Sequence, residues 1–90
     1  SAPFFMYYVY ILQSEKSKLL YIGRTINVVK RIKEHNSGLS THTNKYKPWR
    51  PVYLEGYANE DDAKDRERKL KQFGKVYSQL KRRIKCSLQH

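Results

Sequence analysis

Apolar residues in this chain gather first into two short runs and later into stretches with helical spacing. Tyr7-Tyr8-Val9-Tyr10-Ile11-Leu12 is aromatic and β-branched, which suits a strand. Because it does not alternate, both of its faces should be covered, as in the middle of a small α/β sandwich. Ser14 to Lys18 reads as a polar turn and Leu19 to Gly23 as the returning strand. A turn centred between Glu15 and Lys16 predicts Tyr10 directly opposite Tyr21, on one sheet face. Asn27 is a good N-cap for a helix from Val28 to about Asn36, with Gly38 as its stop. Val28, Ile32 and His35 share one face of that helix, and Arg31 and His35 are neighbours along its edge.

Gly38 to Lys47 is polar and without period, so a surface loop is predicted, with His42 in solvent. Pro48-Trp49-Arg50-Pro51 punctuates the chain, with Trp49 a core or loop anchor in preference to a base-stacking platform. Val52 to Tyr57 alternates as a third strand, and the prolines point to a sheet edge. Asn59 followed by Glu60, Asp61 and Asp62 opens a second helix, since acids suit a helix N-terminus. That helix is predicted to run to about Phe73 and to end at Gly74, with Ala63, Leu70 and Phe73 inward. Glu67 falls in the middle of the same inward face. A buried carboxylate needs a pairing cation or a bound metal, and the sequence leaves both open. A last amphipathic helix carries Val76, Leu80 and Ile84 on one face, with Lys81, Arg82, Arg83 and Lys85 largely elsewhere.

Ninety residues with 39% hydrophobic content suit one domain, spanning 1–90, with a single modest core. Residues 1–5 read as an expression remnant or a disordered lead-in, with Met6 as the natural start, and 86–90 as a tail. The lone cysteine, Cys86, excludes an internal disulfide and a cysteine-only zinc site, and suits a reduced thiol in a cytoplasmic protein. Phe4 to Leu12 is too short to span a bilayer, so no membrane segment is expected. Nineteen Lys and Arg against eight Asp and Glu give a net charge of +11, with a pI near 9.9. Such a balance favours a polyanionic partner, nucleic acid before an anionic membrane surface. The basic C-terminal helix lacks the Trp and Phe of an interfacial helix, which weakens the membrane reading. From Arg68 to His90 the chain is basic without a single acid.

The inward positions that are not apolar are Tyr10, Tyr21, Arg31, His35 and Glu67. One carboxylate is a poor zinc site but suits Mg²⁺ or Mn²⁺, which keep waters and share phosphate oxygens as ligands. Phosphodiester hydrolysis needs an activated water and a cation for the charge gathering on phosphorus oxygens. Arg31 could supply the cation, Glu67 the metal anchor, and Tyr10, Tyr21 or His35 the base.

Taken together, Val9-Tyr10-Ile11, Tyr21-Ile22-Gly23, the Arg31–His35 pair and a later helix bearing Glu67 resemble the GIY-YIG nuclease superfamily, especially its small stand-alone bacterial members. Ten positions separate the two motif tyrosines. The resemblance implies an α+β fold, a three-stranded antiparallel sheet flanked by helices, and metal-dependent endonuclease cleavage of DNA. It matches Tyr10 and Tyr21 to the motif tyrosines, one of them the general base. Arg31 matches the phosphate-stabilising arginine, His35 the helix histidine, Glu67 the metal ligand, and Gly23 the glycine that allows a tight turn into the helix. Val9 departs from the glycine that opens the name-giving pattern. The further asparagine of some members has no counterpart, since Asn44 and Asn59 come too early. Low sequence specificity and a place in DNA repair or processing are expected. With no appended DNA-binding domain, affinity would come from Arg24, Lys30, Arg68, Lys71, Lys75, Lys81 and Arg82, or from a second subunit or partner protein. The alternative is a basic module of the same fold that binds DNA or RNA with little catalysis.

Overall fold

Strand β1 (Tyr7–Ser14) lies in the centre of the sheet, and its residues from Val9 to Ser14 are all buried. The structure, a computed structural model, describes residues 5–39 and 41–89. Residues 1–4 of the lead-in read at 1–5, and His90 at the end of the tail, lie outside the described residues. β2 (Leu20–Thr25) and β3 (Trp49–Tyr57) pair antiparallel with β1 on either side, in the order β2-β1-β3. A strand with neighbours on both edges and layers on both faces has no solvated side, which explains its unbroken apolar run.

The β1–β2 register differs from the expected one. Tyr10 pairs with Gly23, and Tyr21 with Leu12. The cause is Ser14, which closes a loop one residue further along. Its N–H donates to the Leu19 carbonyl, and its carbonyl accepts from Lys18. Its Oγ accepts from the N–H groups of Lys16 and Ser17. Lys18 takes a left-handed φ of 67° to finish the turn. Moving the turn centre by one residue shifts the pairing by two. A two-residue shift preserves the face, so Tyr10 and Tyr21 remain neighbours, with ring centroids 6.3 Å apart.

Helix α1 (Val28–Ser37) begins where Asn27 accepts from the Lys30 N–H and ends at Gly38, whose φ is 86°. The following polar stretch is not wholly irregular, because one short helical turn, α2 (Thr41–Asn44), interrupts it. His42 is exposed, but Thr43 beside it is buried. β3 is an edge strand as expected, though it starts at Trp49 and contains Pro51, opposite Leu12 at a register shift. Trp49 is anchored in the core. Its backbone N–H donates to Asn36 Oδ1 and its indole N–H to the Thr43 carbonyl.

Helix α3 (Glu60–Leu70) is capped by Asn59, which accepts from the Asp61 N–H. It stops earlier than expected. Phe73 has a left-handed φ of 56° and is 62% exposed, so it is not a core residue. The helix ends before the i+3 step from Leu70 can turn Phe73 inward. Gly74, with φ −99°, is the N-cap of α4 (Lys75–Arg83) and not the αL stop of α3. On one sheet face Val9, Ile11 and Ile22 pack against Ala63, Leu70 and Leu80 of α3 and α4. On the other, Tyr10 and Leu12 meet Trp49, Tyr21 and Ile32. The segment after α4 folds back onto the sheet: Gln13 and Gln89 exchange two hydrogen bonds of 2.8 Å, and Arg50 donates to the Ser87 carbonyl.

Candidate active site

Two elements deliver the tyrosines, and one glycine makes room for them. Gly23 sits opposite Tyr10 in β2, and a Cβ there would collide with the Tyr10 hydroxyl and ring. No left-handed backbone is involved. The role read from the sequence, a tight turn into the helix, is replaced by the provision of space for a buried phenol.

Helix α1 then closes the site from the second face. His35 is 0% exposed and Tyr10 1%. The Tyr10 hydroxyl and His35 Nε2 are 3.0 Å apart, and His35 Nδ1 is 2.7 Å from Thr43 Oγ1. Both ring nitrogens of His35 thus have a hydroxyl partner. The Arg31 guanidinium lies 3.5 Å from Glu34 Oε1, and its charge acts on the Tyr10 and Tyr21 hydroxyls. Rings complete the cluster: Tyr21 lies 4.7 Å from His35 and 6.2 Å from Trp49, centroid to centroid.

Burial keeps Tyr10 and His35 uncharged around pH 7. Burial lowers the His35 pKa to about 4, helped by the positive charge of Arg31 and opposed by Glu34. Burial, and then Tyr21, push Tyr10 up to about 12, with Arg31 opposing and Glu67 adding to the rise. Tyr10 and His35 are thus a protonated phenol and a neutral imidazole. Tyr21 is partly exposed and is the tyrosine of the pair that solvent reaches.

Glu67 reaches the site from α3, by the other face of β2. Arg24 pairs with Val9 in the hairpin, one residue on from Gly23, so its side chain faces α3. Arg24 Nε lies 3.3 Å from Glu67 Oε1, and Lys71 Nζ lies 3.0 Å from Oε2. Arg24 Nη1 also approaches Glu60 at 3.5 Å. The Glu67 side chain is 19% exposed. Tyr10, Tyr21, Arg31 and His35 form one contiguous cluster. Glu67 stands beside it at the β2 edge, near enough for its charge to act on the Tyr10 hydroxyl.

No group of three or more His, Cys, Asp or Glu among the described residues is placed to hold a metal alone. A single half-buried carboxylate fits Mg²⁺ or Mn²⁺ as an anchor, the other ligands being water and phosphate oxygens. Its two oxygens are paired with Arg24 and Lys71.

The basic residues expected to bind nucleic acid divide by environment. Arg24 and Lys71 belong to the Glu67 group, and Arg68 is paired with Asp65 at 2.7 Å. Lys81 lies over the Tyr77 ring, whereas Lys30, Lys75 and Arg82 are exposed. Sequence reasoning missed Thr43 and Asn36. Both lie in or beside polar stretches, where no period announces an inward side chain. No helix among the described residues is long and apolar enough to cross a membrane.

The family model described as "GIY-YIG catalytic domain" matches residues 6–85. A UPF0213 protein of Clostridium perfringens is 43% identical over 67 residues, which cover 73% of this chain and 71% of that protein. A UPF0213 protein of Syntrophus aciditrophicus is 37% identical over 71 residues, 77% of this chain and 80% of its own. Another, of Pediococcus pentosaceus, is 34% identical over 67 residues, 73% and 70% of the two chains. No solved structure matches the chain at a comparable level.

Proposed function

The chain belongs to the GIY-YIG catalytic-domain family, a nuclease family, and from that premise we propose that it is an endonuclease hydrolysing DNA phosphodiester bonds with help from Mg²⁺ or Mn²⁺. The observation that carries this reading is the packing of Tyr10, Tyr21, Arg31 and His35 into one polar cluster inside an otherwise apolar layer. A protein that only bound nucleic acid would have no need to bury a phenol and an imidazole there.

In this reading Arg31 pairs its planar fork with the non-bridging oxygens of the scissile phosphate. Tyr21, partly exposed and beside Arg31, takes the proton of the attacking water as a phenolate. The water oxygen bonds to phosphorus, and the bond from phosphorus to the leaving oxygen breaks, that oxygen keeping the electron pair and taking a proton from solvent. Tyr10 is a poor base: with its pKa near 12, deprotonation at neutral pH costs on the order of 7 kcal/mol. Tyr10 and His35 instead hold Arg31 and Tyr21 in place. Glu67 would anchor the metal, which supplies Lewis-acid stabilisation of the developing charge. Arg24 and Lys71, now paired with Glu67, would turn to the phosphates once a metal takes their place. Low sequence specificity, a role in repair or processing, a cytoplasmic setting and a second subunit or partner protein belong to the same proposal. RNA is the secondary substrate to test.

Supercoiled plasmid incubated with Mn²⁺ should be nicked by the parent protein and not by Glu67→Ala or Arg31→Ala. Equal nicking by the Glu67 variant would sink the assignment. One observation favours the runner-up, a nucleic-acid-binding module without catalysis: Arg24 and Lys71 already neutralise Glu67. That reading predicts strongly salt-dependent DNA binding and no metal-dependent nicking.

A further inference from the structure

A second polar group lies on the α3/α4 face of the sheet, beyond the residues considered so far. Tyr53, Glu55 and Tyr57 alternate along β3 and pair with Ile11, Val9 and Tyr7, so all three share that face. Glu55 is held from three sides. The Tyr53 hydroxyl donates to Oε2 at 2.8 Å, the Tyr57 hydroxyl to Oε1 at 3.2 Å, and Arg66 Nε to Oε1 at 2.8 Å. The effect is to fix a guanidinium, since an arginine pinned at Nε to a thrice-bonded carboxylate has little freedom left.

Arg66 lines a hollow of about 220 Å³ together with Val76, Gln79, Leu80 and Arg83. Its Nη groups make no hydrogen bond or ion pair within the described residues, and neither does Arg83. Arg83 is nonetheless close, because its charge acts on the Tyr53 hydroxyl. Two guanidiniums and an amide thus border one small hollow with an apolar floor. With Glu55 already occupied on its β3 side, what this lining lacks is a compact anion with several acceptor oxygens.

We propose that the Arg66–Gln79–Arg83 hollow is a phosphate-binding site that takes a backbone phosphodiester of the bound nucleic acid, away from the bond that is cut. The proposal rests on the reading of this chain as a nucleic-acid-handling protein, but not on cleavage. Arg66 and Glu67 are consecutive on α3, one bonded to β3 and the other to β2. Two strand spacings, roughly 10 Å, therefore separate the residues that anchor them. A duplex carries one phosphate per roughly 3.4 Å of its axis on each strand, so several of its phosphates fall within reach of that span. One nucleic acid can thus reach both places, and the hollow would set where the scissile bond falls.

The test is binding of a short labelled duplex, followed by fluorescence anisotropy in EDTA, where no metal-dependent cleavage occurs. The Arg83 side chain is exposed and makes no hydrogen bond or ion pair within the described residues, so Arg83→Gln should fold as the parent does. It should weaken binding by about 3–10-fold and lower the slope of log K against log salt by about 0.9, the value of one phosphate contact. Lys16→Gln, which removes the same charge from the exposed hairpin turn, should leave the slope unchanged. In NMR spectra the Gln79 side-chain amide should shift as duplex is added. A parent slope in Arg83→Gln, equal effects of the two substitutions, or a motionless Gln79 amide would each overturn the proposal. So would an Arg83 effect confined to phosphatidylserine vesicles, which would assign the hollow to a lipid headgroup. Plasmid nicking reports on the catalytic reading separately: nicking with an unaltered Arg83→Gln slope removes the hollow alone, and binding with no nicking removes the nuclease alone.

Discussion

Tyr10 and Gly23 stand directly opposite each other across the β1–β2 hairpin, and the phenol of one occupies the space where the other lacks a side chain. The Tyr10 oxygen cannot retreat freely, because it is 3.0 Å from buried His35 Nε2. Gly23→Ala must therefore displace the phenol and stretch that bond. A loss of about 1–3 kcal/mol in urea unfolding is expected, the usual range for overpacking a core. The NMR signals of His35 should move with it. An alanine variant within half a kcal/mol of the parent would contradict the idea that this glycine exists to seat Tyr10.

His35 makes stability depend on pH in a stated direction. Its folded pKa, about 4, lies below the ordinary 6.5 because burial disfavours the imidazolium. Above pH 6.5 neither folded nor unfolded chain is protonated there, and the full contribution is present. As pH falls from 6.5 to 4 the unfolded chain binds a proton that the folded one refuses. Stability is lost at about 1.4 kcal/mol per pH unit, on the order of 3 kcal/mol in all. The carboxylates also titrate in part of this window, so the comparison is with His35→Gln. The difference between the two unfolding profiles should slope between pH 6.5 and 4 and be flat above it. A flat difference throughout would show His35 to be free to charge.

Phe73 and Leu70 separate what a helical period implies from what the backbone does. Three positions apart, they share a face on a continuing helix, yet Leu70 is buried and Phe73 is exposed in a left-handed conformation. Leu70→Ala should cost about 2–5 kcal/mol by chemical denaturation. Phe73→Gly relieves a positive φ but loses the ring's edge-on contact with Tyr77 at 5.0 Å, so it should change stability by no more than about 1 kcal/mol. A large loss at Phe73 would restore it to the core.

Features decided within a few residues were legible in the sequence. β1 announces its central place by being apolar on both faces, and Asn27, Gly38 and Asn59 cap their helices through bonds to nearby backbone. What was illegible depends on partners far along the chain or on how a turn closes. Nothing in Ser14 or Lys18 discloses that together they move the hairpin register by two. Thr43 reads as loop until α2 carries it to His35, and the alternation of Val52 to Tyr57 does not disclose that α3 lays Arg66 over Glu55. The tyrosines escaped this difficulty only because a two-residue shift leaves them on the same face.

Glu67 yields the prediction that bears most directly on the chemistry. Lys71 Nζ stands 3.0 Å from Oε2 of the carboxylate that would hold a divalent cation. Removing the lysine removes a competitor. The pair is half exposed, so its worth is about 0.2–1 kcal/mol, or a factor of roughly 1.5–5 in affinity. Lys71→Gln should therefore bind Mn²⁺ more tightly by about that factor, read from free Mn²⁺ by electron paramagnetic resonance. Glu67→Gln, which keeps the shape and loses the charge, should abolish the binding. If DNA affinity falls in Lys71→Gln while Mn²⁺ affinity rises, the lysine serves the carboxylate before the metal arrives and the phosphates afterwards. Mn²⁺ binding that ignores both substitutions would place the metal elsewhere and leave the Glu67 pair a purely structural bridge.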